Sequence, residues 1–356
     1  MSDPSQYDDT QPVRATSEQA PPVPTDRRVM DHKLQTRQPK KGPIPARQAN
    51  GYYADHETGD RLRSVTTILS GGVPKPALIF WSAGLAADTA LEMIPALVAA
   101  SRDPEHLAEH RKWIAAAHTR KKEERAEVGH AVHAIIESRL LGTPLPAMIE
   151  VNGEQWALTG PELAPYLANF TRFEQEWQPD WQASEMVVAN PTIGYAGTLD
   201  YLIAGTGRIG DALRAHGYDV PANRLIMGDT KTGGDWITPE DGGDPHPRIL
   251  SSGHVHGVYP EAGLQMSAYA HAEVCWLRDG SRVPMPAVAP VGVILHLRPE
   301  GYNLYPARCG DMEFTYFRYA QMIDEWSSRI SSARAPDPVI GKPLALPVTS
   351  TAQKAA

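Results

Sequence analysis

The stretch Leu225-Ile226-Met227-Gly228-Asp229-Thr230-Lys231 constrains this chain more than any other, because three apolar residues lead directly into a carboxylate and an amine two positions apart. A short apolar run bounded by turn formers reads as a strand covered on both faces, so other layers must pack over it. Residues i and i+2 of a strand share a face, and Asp229 and Lys231 therefore project together. Charges at the edge of a core are costly unless paired or bound to a metal. Asp-x-Lys alone carries little weight, since it also occurs at Asp31-His32-Lys33; its context gives it meaning.

Two more extended segments precede it, Glu185-Met186-Val187-Val188 and Tyr195 to Ile203, with turn formers between. Further strands are expected at Val291 to Arg298 and near Tyr302 to Ala307. Upstream the pattern is helical. Ser64 to Leu69 and a Gly-Gly-Val-Pro turn lead into an apolar helix from about Pro76 to Ala99, which Pro95 kinks or ends. Asp103-Pro104 starts a charged helix, and another runs from about Glu124 to Leu141, stopping at Gly142. Helices are also expected near Pro161 to Trp177, Leu264 to Arg278 and Met312 to Ile330. The sum is an α/β fold, a small mixed central sheet flanked by helices with a helical N-terminal portion. The glycine-rich segment 233–263 is too long for a plain connection.

Residues 1–50 are rich in Pro, Gln, Ser and Asp without apolar periodicity and read as a disordered arm, basic in its second half. Residues 333–356 read as a disordered tail, leaving 51–332 as a single domain, its helical part at about 64–180 and its catalytic core at about 124–332. No apolar run approaches the roughly 20 residues of a membrane helix, and the start lacks a signal-peptide core. A cytoplasmic protein is expected, and the two cysteines, Cys275 and Cys309, suit a reducing compartment. The net charge of -8 argues against coating nucleic acid by bulk electrostatics, but not against an enzyme that gathers positive charge locally around a carboxylate-rich metal site.

Three constellations carry the chemistry. Gly197-Thr198-Leu199-Asp200 puts a carboxylate on the strand before Asp229 and Lys231. Two oxygen ligands suit Mg²⁺ or Mn²⁺, which keep waters and accept substrate phosphate, and a neighbouring lysine can orient or deprotonate an attacking water. On the helix at 124–141, His133 and Glu137 share a face, and Gly129 allows close approach of another backbone. After the long loop, Gln265 and Tyr269 share a helical face, and both can hydrogen-bond a phosphate or a catalytic group.

Taken in order, Gly129 and His133, Gly197 and Asp200, Asp229 and Lys231, and Gln265 and Tyr269 resemble the pattern of the RecB-like branch of the PD-(D/E)xK nucleases, which includes CRISPR-associated and phage exonucleases. The similarity covers about residues 125 to 275. Ser64 to Leu69, with Lys75-Pro76-Ala77-Leu78 and Trp81, also resembles the helical start of phage-encoded members. The resemblance implies a restriction-endonuclease-like core. It further implies that His133, Asp200, Asp229 and the carbonyl of Thr230 bind Mg²⁺ or Mn²⁺, with Glu185 as an additional ligand. Lys231 would assist the water, and Gln265 and Tyr269 would steady the lysine or the scissile phosphate. With two cysteines in place of four, no iron–sulfur cluster is expected. The implied activity is a DNA exonuclease of recombination, repair or phage replication, acting on DNA ends and working with a recombination partner protein. Arg120, Lys121 and Lys122, with Lys40 and Lys41 of the arm, are candidates for DNA contact.

Two other readings compete. One is a catalytically inactive nuclease fold serving as a DNA-binding or assembly module. The other is an unrelated zinc hydrolase built on His254 and His256, with His246 and His271 nearby.

Overall fold

The computed structural model describes residues 44–343 apart from His56, Asn152, Gly153, Ala333, Pro336, Asp337 and Lys342. The arm residues Lys40 and Lys41, and the tail beyond 343, lie outside the described residues.

The strands are β1 (Tyr52–Ala54), β2 (Arg61–Ser64), β3 (Met148–Val151), β4 (Glu154–Ala157), β5 (Trp181–Asn190), β6 (Tyr195–Ala204), β7 (Leu225–Lys231), β8 (Trp236–Ile237), β9 (His246–Pro247), β10 (Val274–Trp276), β11 (Arg282–Pro284), β12 (Val291–Arg298) and β13 (Gly301–Arg308). The α-helices are α1 (Val65–Gly72), α2 (Pro76–Glu92), α3 (Ile94–Ala100), α4 (Pro104–Ala115), α5 (Ala117–Leu141), α6 (Ala164–Trp177), α7 (Arg208–Ala215), α8 (Glu261–Ala270) and α9 (Asp311–Glu325); a π-helical turn, Trp326–Ile330, extends α9.

The central sheet has nine strands in the order β11-β10-β5-β6-β7-β12-β13, with β2 paired to β6 and β1 to β2. It is mixed: β7 and β12 run parallel, as do β2 and β6, and the other pairs are antiparallel. Alternation along β7 divides the core. Leu225 and Met227 pack with Val65, Leu69, Met266, Tyr269 and Phe317, on the side of α1, α8 and α9. Ile226 packs with Val132, Ile136, Phe170 and Leu213, on the side of α5, α6 and α7. Among the described residues no single helix is long and apolar enough to cross a membrane.

Several local signals act as the sequence indicates. The Asp103 carboxylate accepts from the N–H groups of Glu105 and His106 and caps α4, with Pro104 in the first turn. Gly142 ends α5 in the left-handed conformation, φ 62°. Pro95 sits in the first turn of α3, after a 69° bend that breaks the apolar helix at Met93.

Three boundaries differ from expectation. The basic cluster at 120–125 belongs to α5, the helix that carries His133, because the break falls at Ala116. The helix expected over 264–278 stops at Ala270; Val274 and Cys275 are drawn instead into strand pairing with Ala189 and Val188 of β5. The sheet gains four short strands, β1, β2, β10 and β11, that show little alternation of their own and form because a partner edge is available.

The segment 232–260 is folded, not an open loop. β8 pairs with β9, and the two ends of the segment cross through glycines. Gly234 and Gly257 adopt φ of 93° and 96°, and a methyl group on either would lie 1.9 Å from the His256 carbonyl or 2.2 Å from that of Gly233. The root is held from β12, where Arg298 donates to the Thr232 carbonyl at 2.6 Å and His296 Nε2 donates to that of Gly233 at 2.7 Å.

Candidate metal centre

The site arises where β6 forks. Its first residues, Tyr195 and Ala196, pair with Arg63 and Ser64 of β2, and its last four, Tyr201–Ala204, pair with Gly228–Leu225 of β7. Between them, residues 197–200 have no ladder partner on that edge among the described strands. The carboxylate of Asp200 fills the gap, accepting the Thr230 N–H at 2.7 Å. Asp200 therefore lies in mid-strand, at the divergence of two strands.

Two other side chains converge on it. His133 reaches in from α5, with Nδ1 3.7 Å from Asp200 Oδ2 and 3.5 Å from Glu185 Oε1. Donor atoms of His133, Glu185 and Asp200 all lie within 4.8 Å of one another. Among the described residues they are the only group of three or more histidine, cysteine, aspartate or glutamate side chains so placed. Beside them the Lys231 ammonium stands 2.6 Å from Asp229 Oδ2, and the Asp229 side chain is only 6% exposed. Asp229 thus meets Lys231 more closely than it meets the histidine cluster.

Backbone strain marks the same spot. Glu185 is in a strand yet has φ 47°, a left-handed conformation that costs a non-glycine residue about 1–2 kcal/mol. Such strain persists only where surroundings impose it, and here it aims a carboxylate at His133.

The motif glycines have a steric cause. A methyl group at Gly197 would lie 2.3 Å from Cε1 of Tyr269, so only glycine admits that ring against β6. Gly129 brings α5 to within contact of Thr232, where a methyl group would be 3.2 Å from Oγ1; the close approach meets a side chain, not the backbone expected. Tyr269 accepts a hydrogen bond from Gln265 Nε2 at 3.3 Å, so the two share a face as their spacing indicates.

Electrostatics follow from burial and crowding. Burial raises the carboxyl pKa of Asp200 and Asp229 above the ordinary range, and neighbouring carboxylates add to the effect. Burial alone would lower the pKa of His133, but the Asp200 and Glu185 carboxylates outweigh it and push it up to about 9. Lys231 likewise rises, because Asp229 and Asp200 more than offset burial. Crowded acids of this kind favour a cation in their midst.

The His133 shift has a testable sign. Its imidazolium is stabilised in the folded chain, so that stabilisation is complete below the unfolded value of 6.5 and is lost as pH rises through about 9. Metal-free protein in EDTA is expected to lose melting temperature between those limits, with a shallower loss in His133→Gln. A pH profile identical in the variant would remove His133 from the cluster.

Residues outside the sequence pattern also frame the site. Glu261, at the start of α8, pairs with Lys75 Nζ at 3.0 Å and helps hold Lys231 protonated. Tyr53 shares a hydrogen bond with Thr198 at 3.0 Å and lies close to Tyr269. Neither Glu261 nor Tyr53 has a spacing to a partner that a sequence could reveal. Lys75 stands in the recognised helical start, but nothing there links it to Glu261.

The basic residues of α5 are engaged locally. Arg120 lies 3.7 Å over the Trp113 ring and donates to the Trp113 carbonyl at 2.7 Å, and Lys121 pairs with Glu124 at 3.0 Å. Lys122 is exposed on the same helix. The histidines of the zinc reading do not assemble. His254 contacts Ser252; His256 Nδ1 accepts the Asp235 N–H; His271 stacks on Phe314 and pairs with Asp311. The segment's periodicity is local, so His254 and His256 turn to different neighbours. Cys275 and Cys309 are free thiols, both buried.

The chain matches no protein-family model, and no curated protein matches it.

Proposed function

We propose that this chain is a divalent-metal-dependent deoxyribonuclease of the PD-(D/E)xK kind, with His133, Glu185 and Asp200 as the metal ligands and Lys231 as the cation beside them. The observation that carries this reading is the convergence of a histidine and two carboxylates at a strand fork, next to the ion pair of buried Asp229 with half-buried Lys231. Mixed nitrogen and oxygen donors suit Mn²⁺ or Mg²⁺ better than a thiolate-seeking metal. Glu185 joins the ligand set, while Asp229 and the Thr230 carbonyl stand as further ligands implied by the resemblance.

A divalent ion there would supply Lewis-acid polarisation of a phosphate and offset the charge of the carboxylates. The chain's own residues do the rest. Asp229 orients the Lys231 ammonium, which offsets negative charge on a phosphate under attack. Asp200, fixed by the Thr230 N–H, holds its carboxylate toward His133. Tyr269, hydrogen-bonded by Gln265, packs its ring against Gly197 beside the fork. An exonuclease acting from DNA ends in recombination, repair or phage replication, in the cytoplasm and beside a recombination partner, is the setting the family resemblance favours.

The test incubates purified protein with end-labelled linear single- and double-stranded DNA and with a closed circle, in Mg²⁺, Mn²⁺ or EDTA. Metal-dependent loss of linear DNA with the circle spared supports an exonuclease, and the label reports its polarity. DNA that is bound but uncut in either metal would replace this reading with the inactive binding module.

A further inference from the structure

α9 is apolar on two sides. One side carries Phe317, Ala320 and Asp324, buried against the body, where Gly72 of α1 meets the Ala320 carbonyl so closely that a methyl group would lie 2.0 Å from it. Asp324 is gripped by Arg63 through both guanidinium edges, the Nη2–Oδ1 contact being 2.8 Å. The helix is therefore fixed without its second side.

That second side presents Met312, Tyr316, Tyr319, Ile323, Trp326 and Ile330, each between 42% and 58% exposed. Their spacing alternates between four and three residues throughout, the 3.5-residue period with which one helix packs along another. Tyr, Trp and Met are also the side chains that protein interfaces favour. The stripe continues past the helix, where the Val339 N–H donates to the Ile330 carbonyl at 3.2 Å and Ile340 is 85% exposed.

We propose that this stripe is a self-association surface, pairing antiparallel with the same helix of a second copy of the chain. Area, helix dipoles and symmetry select that occupant. With Met322 beside the stripe, each residue offers about half of a side chain, on the order of 700 Å² in all for large side chains of this kind. Val339 and Ile340 add to that, which brings the patch to the roughly 800 Å² per partner of a standard stable interface. An antiparallel pair opposes the helix dipoles, whereas a parallel pair aligns them. The alternating spacing reads the same in both directions, so a two-fold axis between Tyr319 and Ile323 places each stripe on itself. The metal cluster takes no residue from α9, so the pairing uses none of it.

The full chain is examined by sedimentation over a range of concentrations, beside Tyr319→Glu/Ile323→Glu, with far-ultraviolet circular dichroism to establish that the variant folds. A wild-type dimer is expected, weakened at least about a hundredfold in the variant by charges in the centre of the interface. Single cysteines then fix the direction. Under oxidation Met322→Cys, about 3 Å from its mate along the antiparallel axis, crosslinks to itself, while Met312→Cys, about 27 Å from its mate, does not. The native thiols, both buried, do not interfere. A monomeric wild type at the highest concentration reached, a dimer indifferent to both glutamates, or crosslinking through Met312→Cys would each overturn the proposal. These readouts are mass and covalent linkage, independent of any cleavage.

Discussion

Asp200→Asn is expected to abolish metal-dependent cleavage while leaving the metal-free protein at least as stable as the wild type. The two effects share one cause. Burial, with the Glu185 carboxylate adding to it, raises the carboxyl pKa of Asp200, so the ionised form is disfavoured in the folded chain. An asparagine oxygen can still accept the Thr230 N–H that closes the strand fork, and the unfavourable charge disappears. Loss of a ligand carboxylate removes several kcal/mol of electrostatic stabilisation, about a thousandfold or more in rate. Metal then loses its purchase on stability too: Mn²⁺ at a hundredfold excess over its dissociation constant adds about 2.7 kcal/mol to the wild type, and little to the variant. Melting with and without Mn²⁺, beside a cleavage assay, checks all three. A variant that still cuts would sink the proposed site; one that melts well below the wild type without metal would make Asp200 a structural ion-pair partner of His133.

Gly228→Ala should produce the largest loss of stability of any single methyl group considered. Gly228 faces Tyr201 across the β6–β7 ladder, and its added carbon would stand 1.7 Å from Cε2 of that ring. The ring cannot yield, because Tyr201 is 1% exposed and Trp181 packs edge-on against it at 5.1 Å. The strands must separate one residue before Asp229. Overpacking of this kind costs about 3 kcal/mol, and it should also disturb the Asp229–Lys231 pair. Gly84 supplies the contrast, lying within α2 with nothing near its missing side chain. Gly84→Ala should therefore stabilise by about 1 kcal/mol through helix propensity alone. Chemical denaturation of both variants tests the argument, which fails if Gly228→Ala unfolds with the wild-type midpoint.

Much of the site was legible because its parts obey short periods. Asp229 and Lys231 share a face by the two-residue period of a strand, and Gln265 and Tyr269 by the four-residue period of a helix. Asp103, Pro104 and Gly142 acted as helix punctuation because capping depends on one or two neighbours. The segments that misled were those whose state is set by a distant partner. Val274 and Cys275 continue a helical pattern, yet the free edge of β5 claims them. The glycines of 232–260 suggested an open loop until the crossing of Gly234 and Gly257 supplied the contact that needs them.

What the sequence determined by itself is the local grammar: the longer strands and helices, the paired charges, and the residues able to hold a metal. Tertiary structure decided which of these meet. The fork between β6 and β7 set Asp200 beside His133, the left-handed twist at Glu185 turned a strand carboxylate into the cluster, and the packing of Tyr269 on Gly197 gave a motif glycine its reason. The cause is range. Periodicity and capping act over a few residues and are written in spacing, whereas these contacts join residues 52 to 72 positions apart, where chain connectivity no longer constrains geometry and only the closing of the core can.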